Sequence, residues 1–369
     1  MGRYRTKYNK TIDLMPRTAP LTHIAGLTRN LPTEKESSSC LGDGGCSSAM
    51  RVKSAIVTPL SLKSHVRKNK TLIVIAGPTA SGKTAFSIEL AKALNTVILS
   101  ADSRQFYKEM SIGTAAPTEE ELSQVKHYFV HHISIEDKYD VADYERDVLQ
   151  LLDELFKTHD AVIMTGGSGL FIDAVCNGID AMPDVEPEIR EKVQKIYDEG
   201  GLRALQDEVQ RLDPKYFAIV DQLNPRRLQR ALEVCYQTGQ PFSSFRSGNT
   251  VKRDFEIKKY ALLWDRQALI ERIDKRVDMM LEQGLLEEAK ALYPKRHLNA
   301  LNTVGYKELF AYFDGQCTLK EAVEQIKIHT RQYAKRQMTW LRKDTSYQWI
   351  TPDELPTLPL SDICKLQQL

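Results

Sequence analysis

Residues 77–84 read Gly-Pro-Thr-Ala-Ser-Gly-Lys-Thr and fit the pattern G-x-x-x-x-G-K-[ST]. Glycines let backbone N–H groups turn inward around an anion, and a helix that begins there adds its positive dipole end. Lys83 supplies a charge to a phosphate, and Thr84 offers a hydroxyl to Mg²⁺. The segment therefore predicts a di- or triphosphate site with Thr84 as metal ligand, built from Gly77, Pro78, Thr79, Ala80, Ser81, Gly82, Lys83 and Thr84.

A carboxylate follows the next apolar run along the chain. Asp102 comes directly after residues 96–100, which read as a strand, so it is expected at the carboxyl edge of a parallel sheet beside the phosphate loop. It could bind Mg²⁺, act as a general base toward an acceptor, or cap a helix. Arg104 and Gln105 could hydrogen-bond an acceptor base.

An ordinary ATPase with this loop has a second apolar strand that ends in an acid for Mg²⁺. The third predicted strand, 161–165, is followed by Gly166 and Gly167 and carries no acid at its end. This absence weakens the interpretation as a generic ATPase.

Strands and helices alternate along the first half of the chain, which predicts a parallel sheet with crossover helices. The strands are predicted at 71–76, 96–100, 161–165 and 258–264. The helices are predicted at 83–94, 142–156, 186–199, 201–212, 213–220, 225–238, 266–283, 285–293, 305–313 and 319–343.

Composition is that of a globular protein, with 42% hydrophobic and 27% charged residues and a net charge of +2. Residues 1–70 are basic and rich in Ser and Gly, and they are interpreted as a disordered or non-native extension, with an organellar transit peptide as the alternative. The α/β catalytic core is assigned to 71–180 and 250–350. A helical insertion is assigned to 181–249 and a C-terminal tail to 351–369.

Eight motifs occur in series, and together they resemble the tRNA dimethylallyltransferases, also called tRNA isopentenyltransferases. The resemblance spans about residues 71–350. Its motifs are 77–84, 100–107 (SADSRQFY), 112–114 (IGT), 166–169 (GGSG), 224–233 (NPRRLQRALE), 272–281 (RIDKRVDMML), 304–306 (VGY) and 330–341 (TRQYAKRQMTWL).

The resemblance implies a P-loop NTPase-like parallel sheet with flanking helices and a helical insertion that binds tRNA. It implies transfer of a dimethylallyl group from dimethylallyl diphosphate to N6 of the adenosine on the 3′ side of the anticodon. The phosphate loop would then hold the donor diphosphate together with Mg²⁺. The partners it implies are the tRNA anticodon stem-loop and that donor.

Residue roles also follow from the resemblance, with Asp102 matching the general base and Lys83, Arg272 and Arg276 the groups that stabilise the diphosphate. The stretch 319–343 adds a basic stripe that favours RNA contact. The tRNA-binding positions implied are Asp102, Ser103, Arg104, Gln105, Ser168, Arg226, Arg227, Leu228, Gln229, Arg230, Asn302, Thr303, Val304, Gly305, Tyr306 and Lys307.

Three other functions remain open on the sequence alone. An adenylate isopentenyltransferase would prenylate free AMP, ADP or ATP, a small-molecule kinase would place ATP in the same loop, and a non-catalytic module would only bind RNA. The six cysteines lack any CxxC pair, and no apolar run is long enough for a membrane span. A cytoplasmic protein without a membrane partner is therefore expected. A monomer is expected as well.

Overall fold

The computed structural model describes residues 70–248 and 250–352. The predicted extension 1–70 and tail 351–369 lie outside these residues, apart from Lys70, Thr351 and Pro352. The proposed division into core and insertion remains a prediction.

Six strands form one parallel sheet in the described part of the chain, in the order β3-β2-β4-β1-β5-β6. The predicted α/β class with a parallel sheet is confirmed. The strands are β1 (Thr71–Ala76), β2 (Ile98–Ser100), β3 (His127–Tyr128), β4 (Ala161–Gly166), β5 (Glu256–Leu262) and β6 (Tyr347–Ile350).

Helices cover the sheet and continue beyond it. They are α1 (Lys83–Leu94), α2 (Glu119–Gln124), α3 (Val141–Leu155), α4 (Gly169–Asn177), α5 (Pro187–Leu212), α6 (Pro214–Phe217), α7 (Pro225–Thr238), α8 (Arg266–Glu282), α9 (Leu285–Leu292), α10 (Tyr306–Phe313) and α11 (Leu319–Leu341). None of these helices combines the length and apolar character needed to cross a membrane.

The central strand β1 is buried on both faces, because its successive side chains point to opposite sides of the sheet. Leu72 and Val74 belong to one hydrophobic cluster and Ile73 and Ile75 to another. This double burial fixes β1, and therefore also the loop that follows it.

The helices α5, α6 and α7 pack around a hydrophobic cluster of their own. Within α5 the backbone leaves helical geometry at Gly201, with φ 63° and ψ −159°. The break agrees with the two separate helices that the sequence predicts there, at 186–199 and 201–212. The predicted helix at 213–220 is shorter and covers only α6.

Several elements differ from the sequence predictions. Strand β5 begins and ends two residues earlier than predicted, so Trp264 lies beyond the strand rather than in it. The elements β3, β6, α2 and α4 were not predicted. Strand β3 has only two residues and β6 only four, too few for a hydrophobic period to stand out.

The segment that begins with β3 carries three histidines whose pKa values burial lowers: His127, His131 and His132. His132 lies against the rings of Phe106 and Phe129. Both of its ring nitrogens are shielded from solvent and have no hydrogen-bond partner among the described residues. The segment pairs with the stretch after Asp102, because the His131 and His132 N–H groups donate to the Gln105 and Phe106 carbonyls at 2.9 Å.

We expect the free energy of unfolding to fall as the pH drops below about 6.5, the ordinary histidine value. A histidine whose pKa is lower in the folded state binds more protons when unfolded, so acid favours unfolding. Chemical denaturation between pH 5 and pH 7.5 measures this slope.

The variant His132→Phe should flatten the slope, because the ring stays and the titrating group is lost. His297→Gln is the control, since His297 is exposed. An identical slope for the wild type and His132→Phe would contradict the assignment to His132.

Candidate active site

The phosphate loop predicted at 77–84 connects β1 to α1. The backbone adopts left-handed geometry at Ala80 (φ 64°) and at Gly82 (φ 85°), which directs the chain around a concave turn. The Lys83 amine donates to the Pro78 carbonyl at 2.8 Å. The Ser81 hydroxyl is buried without a hydrogen-bond partner among the described residues, and an anion in the loop would satisfy it.

Side chains from the second half of the chain brace this loop. Arg272 on α8 donates from Nε to the Ala80 carbonyl at 2.8 Å. Its guanidinium stacks on Trp264 with 4.2 Å between the guanidinium carbon and the ring centroid. Trp264 in turn donates from Nε1 to the Ser81 carbonyl at 2.9 Å. Arg272 therefore helps to hold the shape of the loop. The sequence analysis predicted a catalytic role for Arg272 but not this one.

Asp102 reaches the phosphate loop because the chain after β2 crosses the end of β4. The Ala101 N–H donates to the Thr165 carbonyl at 2.7 Å, and the Ser168 N–H donates to the Ala101 carbonyl at 3.2 Å. A Cβ at Gly166 would lie only 2.2 Å from the Ala101 oxygen. Glycine at 166 is therefore required for this crossing.

Charges of both signs meet beside the loop. Burial lowers the pKa of Lys83 to about 8, and nearby Arg276 adds to the effect while Asp102 opposes it. Burial also lowers the pKa of Arg276, again opposed by Asp102. Asp102 itself accepts from the Arg104 N–H at 3.0 Å. Two desolvated cations next to one carboxylate suit the binding of a polyanion.

A cavity of about 720 Å³ opens beside Asp102, and half of the predicted site residues that lie outside the phosphate loop line it. Predicted residues in its wall are Thr79, Asp102, Ser103, Arg104, Arg276, Asn302, Thr303, Val304, Gly305 and Lys307. The sequence analysis did not assign Thr114, His329, Tyr333 or Arg336 to the site, and these residues also line the cavity.

Tyr333 is the clearest of these additions. Burial raises the pKa of its hydroxyl to about 12, and the Asp102 charge adds to the effect. The hydroxyl therefore stays protonated at neutral pH. The basic stripe predicted at 319–343 includes this residue, but the sequence analysis assigned it no role in the site.

Some predicted contact residues make hydrogen bonds that hold the site together. Gln105 donates from Nε2 to the Ala115 carbonyl at 3.0 Å, so its side chain ties down the loop at 111–115. The Ser168 hydroxyl accepts from the Ser103 N–H at 3.0 Å and joins the ends of β4 and β2. Arg104 donates from its guanidinium to the Ala300 carbonyl at 3.1 Å.

The prediction that the Tyr306 side chain contacts tRNA is wrong. The residue is 0% exposed, and its hydroxyl donates to Glu288 at 2.6 Å. The same carboxylate accepts the N–H groups of Ile112 and Gly113, both at 2.8 Å. A Cβ at Gly113 would meet the Tyr306 ring at 2.5 Å. Tyr306 is therefore a buried support for the IGT motif.

The three arginines of α7 differ in exposure. Arg226 and Arg227 are exposed, whereas Arg230 lies 3.5 Å from Glu233. Leu228 is 0% exposed within the cluster of α5–α7, and Gln229 is buried and donates to Gln194 at 3.1 Å. Leu228 and Gln229 are thus packing residues, which corrects their predicted contact with tRNA.

Two cations of the basic stripe predicted on the last long helix are paired with carboxylates of α8. Lys327 on α11 pairs with Asp278 at 2.7 Å, and Arg331 pairs with Asp274 of α8 through two hydrogen bonds. These two cations join α8 and α11, and the contact of the basic stripe with RNA remains a prediction. Arg336, by contrast, lines the cavity.

The donor set for a metal ion is small. Among the described residues, no group of three or more His, Cys, Asp and Glu side chains is arranged to hold one. The Thr84 side chain has no hydrogen-bond partner within residues 70–248 and 250–352. Mg²⁺ in phosphate loops takes most of its ligands from phosphate oxygens and water, and this site fits that pattern.

The IPP transferase family model matches residues 105–344. The chain belongs to this family. The match begins after the phosphate loop and includes α11.

Relatives that match most of the chain show the same relationship. The tRNA dimethylallyltransferase of Christiangramia forsetii is 51% identical over 77% of this chain and 94% of its own length. The tRNA dimethylallyltransferase 1 of Phocaeicola vulgatus is 50% identical over 77% of this chain and 95% of its own length.

Solved structures of similar proteins include the tRNA isopentenylpyrophosphate transferase of Bacillus halodurans. It is 33% identical, with a TM-score of 0.60, and the match covers 81% of this chain and 97% of that one. A eukaryotic dimethylallyltransferase that acts on tRNA has a TM-score of 0.64 and 26% identity. That match covers 76% of this chain and 74% of the other.

For this family member we expect the affinity for inorganic pyrophosphate to fall as the pH rises above about 8, because Lys83 then loses its charge. Titration calorimetry at pH 7 and pH 9 measures the change. Lys83→Arg keeps the charge at both pH values and should flatten the dependence. A wild-type affinity equal at both pH values would contradict the role of the Lys83 charge.

Proposed function

We propose that this protein transfers a dimethylallyl group from dimethylallyl diphosphate to N6 of the adenosine 3′ to the anticodon in tRNA. One observation carries the proposal. The chain belongs to the IPP transferase family, and its cavity is lined by both the phosphate loop after β1 and the Asp102 carboxylate after β2, two strands away in the sheet. Relatives about 50% identical are tRNA dimethylallyltransferases.

The donor diphosphate occupies the loop at 77–84. The backbone N–H groups at the start of α1 face its oxygens, and the positive end of that helix favours its charge. When the allylic C–O bond breaks, the pair of electrons goes to the diphosphate. Lys83 and Arg276, both desolvated, stabilise the charge that develops there.

The acceptor nitrogen attacks the allylic carbon as that bond breaks, and its proton passes to Asp102. An exocyclic amine is a weak nucleophile, so a positioned carboxylate accelerates the step. The adenine must leave the anticodon stack to reach a cavity of this kind. Tyr333, whose hydroxyl is protonated at neutral pH, lies close enough to Asp102 for the carboxylate charge to raise its pKa.

Thr84 and the diphosphate oxygens would hold Mg²⁺, which supplies positive charge to the leaving group. This assignment rests on the donor types at the loop and on the Thr84 hydroxyl described above. A cytoplasmic location and a monomeric state remain predictions.

The kinase alternative loses support at the strand beside the phosphate loop. Strand β4 is hydrogen-bonded to β1. An ATPase with this loop carries its Mg²⁺-binding acid at the end of such a strand. Here β4 ends at Gly166, and the Thr165 hydroxyl donates to the Ile75 carbonyl at 3.3 Å. A free nucleotide would not need the exposed arginines of α7, which favours tRNA over AMP or ATP as the acceptor.

A transfer assay tests the proposal. Radiolabelled dimethylallyl diphosphate and Mg²⁺ are mixed with unmodified tRNA in one tube and with AMP or ATP in another. Label in tRNA alone is the expected result. Label in the free nucleotide would replace tRNA with a nucleotide as the acceptor, and phosphoryl transfer from ATP without any label transfer would favour the kinase.

Asp102→Asn should lower kcat by about 10²–10⁴-fold with little change in tRNA affinity, because only the proton acceptor is lost. Asp160→Asn is the matched control. Asp160 lies before β4, at the opposite edge of the sheet, and pairs with Lys70 at the surface. Normal turnover in Asp102→Asn would exclude Asp102 as the base.

Arg226→Ala combined with Arg227→Ala should weaken tRNA binding and reduce the slope of log K against log salt by roughly one unit per phosphate contact. Filter binding at several salt concentrations gives the slope. Arg203→Ala is the control, since that exposed arginine pairs with Asp207 on α5. A slope unchanged in the double variant would place Arg226 and Arg227 outside the tRNA interface.

A further inference from the structure

A single buried glutamine joins the loops that follow β1 and β4. Gln337 on α11 is 6% exposed. Its Oε1 accepts from the Thr79 N–H at 2.9 Å, and its Nε2 donates to the Gly167 carbonyl at 2.9 Å. The carboxamide thus satisfies one donor on the phosphate loop and one acceptor on the loop beyond β4.

The backbone around Gly167 is shaped to admit this side chain. A Cβ at 167 would lie 2.1 Å from the Gln337 Nε2, and one at 169 would lie 2.3 Å from the Trp340 ring. Trp340 also donates from Nε1 to Asp173 of α4 at 3.0 Å. The glycines of the GGSG motif therefore leave the space in which the side chains of α11 pack.

The Thr79 N–H belongs to the residue before Ala80, and Ala80 has a left-handed backbone (φ 64°) that non-glycine residues rarely adopt. On its other side, the Ala80 carbonyl accepts from Arg272. Ala80 is therefore held from both sides by side chains that come from α11 and α8. Without these contacts the strained residue would relax toward a more common conformation.

We propose that Gln337 is a positioning residue for the donor diphosphate. By fixing Thr79, it keeps the phosphate loop in its binding conformation before the ligand arrives, so that binding does not have to order the loop. The inference deepens the proposed function and rests on it for the identity of the donor. Thr79 also lines the cavity, so the same contact shapes the wall beside Asp102.

The chemistry of the side chain explains why a glutamine suits this position. A leucine would leave the Thr79 N–H and the Gly167 carbonyl without this hydrogen-bond partner. A glutamate could still accept from Thr79, but its carboxylate would face the Gly167 carbonyl and bring a negative charge close to the diphosphate site.

The test compares Gln337→Leu and Gln337→Glu with the wild type and with Thr339→Ala. Thr339 lies exposed on the same helix, away from the cavity lining. Four quantities are measured: KM for dimethylallyl diphosphate, kcat, the Kd of inorganic pyrophosphate by calorimetry, and the Kd of tRNA. Thermal melting reports the stability of each variant.

We expect both Gln337 variants to raise the pyrophosphate Kd and the donor KM by about tenfold, as unpaired groups at the loop predict. The effect should be larger for Gln337→Glu. The tRNA Kd should stay within about twofold, and Thr339→Ala should match the wild type. A lower melting temperature with unchanged pyrophosphate Kd and donor KM would show a merely structural role and overturn the inference.

A second variant approaches the contact from the other side. Gly167→Ala displaces the carboxamide without changing Gln337, and it should raise the pyrophosphate Kd in the same way even if Gln337→Leu fails to fold. The pyrophosphate measurement needs no prenyl transfer. If the wild type labels no tRNA, the proposed function fails while the pyrophosphate comparison still decides the role of Gln337. A wild type that does not bind pyrophosphate would overturn the inference.

Discussion

The approach of the Ala101 carbonyl to Gly166 is the contact on which the site depends. Asp102 follows β2 and the phosphate loop follows β1, and β4 lies between these strands, so their ends stand about 10 Å apart in the sheet. The chain closes this gap by crossing the end of β4, which only a residue without a Cβ permits. The carboxylate then comes within electrostatic reach of Lys83.

Burial determines how strongly the charged groups of this site interact with an anion. Lys83 and Arg276 are taken out of water before any ligand binds, and Asp102 compensates only part of that cost. In the proposed function a diphosphate would supply the missing negative charge, and the low local dielectric would strengthen its attraction to both cations. In the proposed reaction such a site would stabilise the leaving diphosphate without reorganising, which is the main source of transition-state stabilisation in electrostatic catalysis.

Local patterns in the sequence predicted the features that are built locally. The strand, loop and helix around Lys83 follow from one apolar run and one motif, and Asp102 follows from its place after a strand. Gln337 and Trp264 could not be predicted, because they reach the loop across more than 180 residues of chain and carry no periodic signal. The motif positions Leu228 and Tyr306 were misassigned because resemblance does not separate core residues from those that face a ligand.

The sequence positions of the side chains that hold the phosphate loop have a consequence for biosynthesis. The phosphate loop leaves the ribosome early, but Trp264, Arg272 and Gln337 are synthesised 183, 192 and 258 residues after the loop positions they hold. Contacts of such high sequence separation form late in folding, since the intervening chain must first be ordered. A nascent chain that ends before α11 would therefore carry the phosphate loop without its shape. Donor binding would begin only after α11 has been translated and docked.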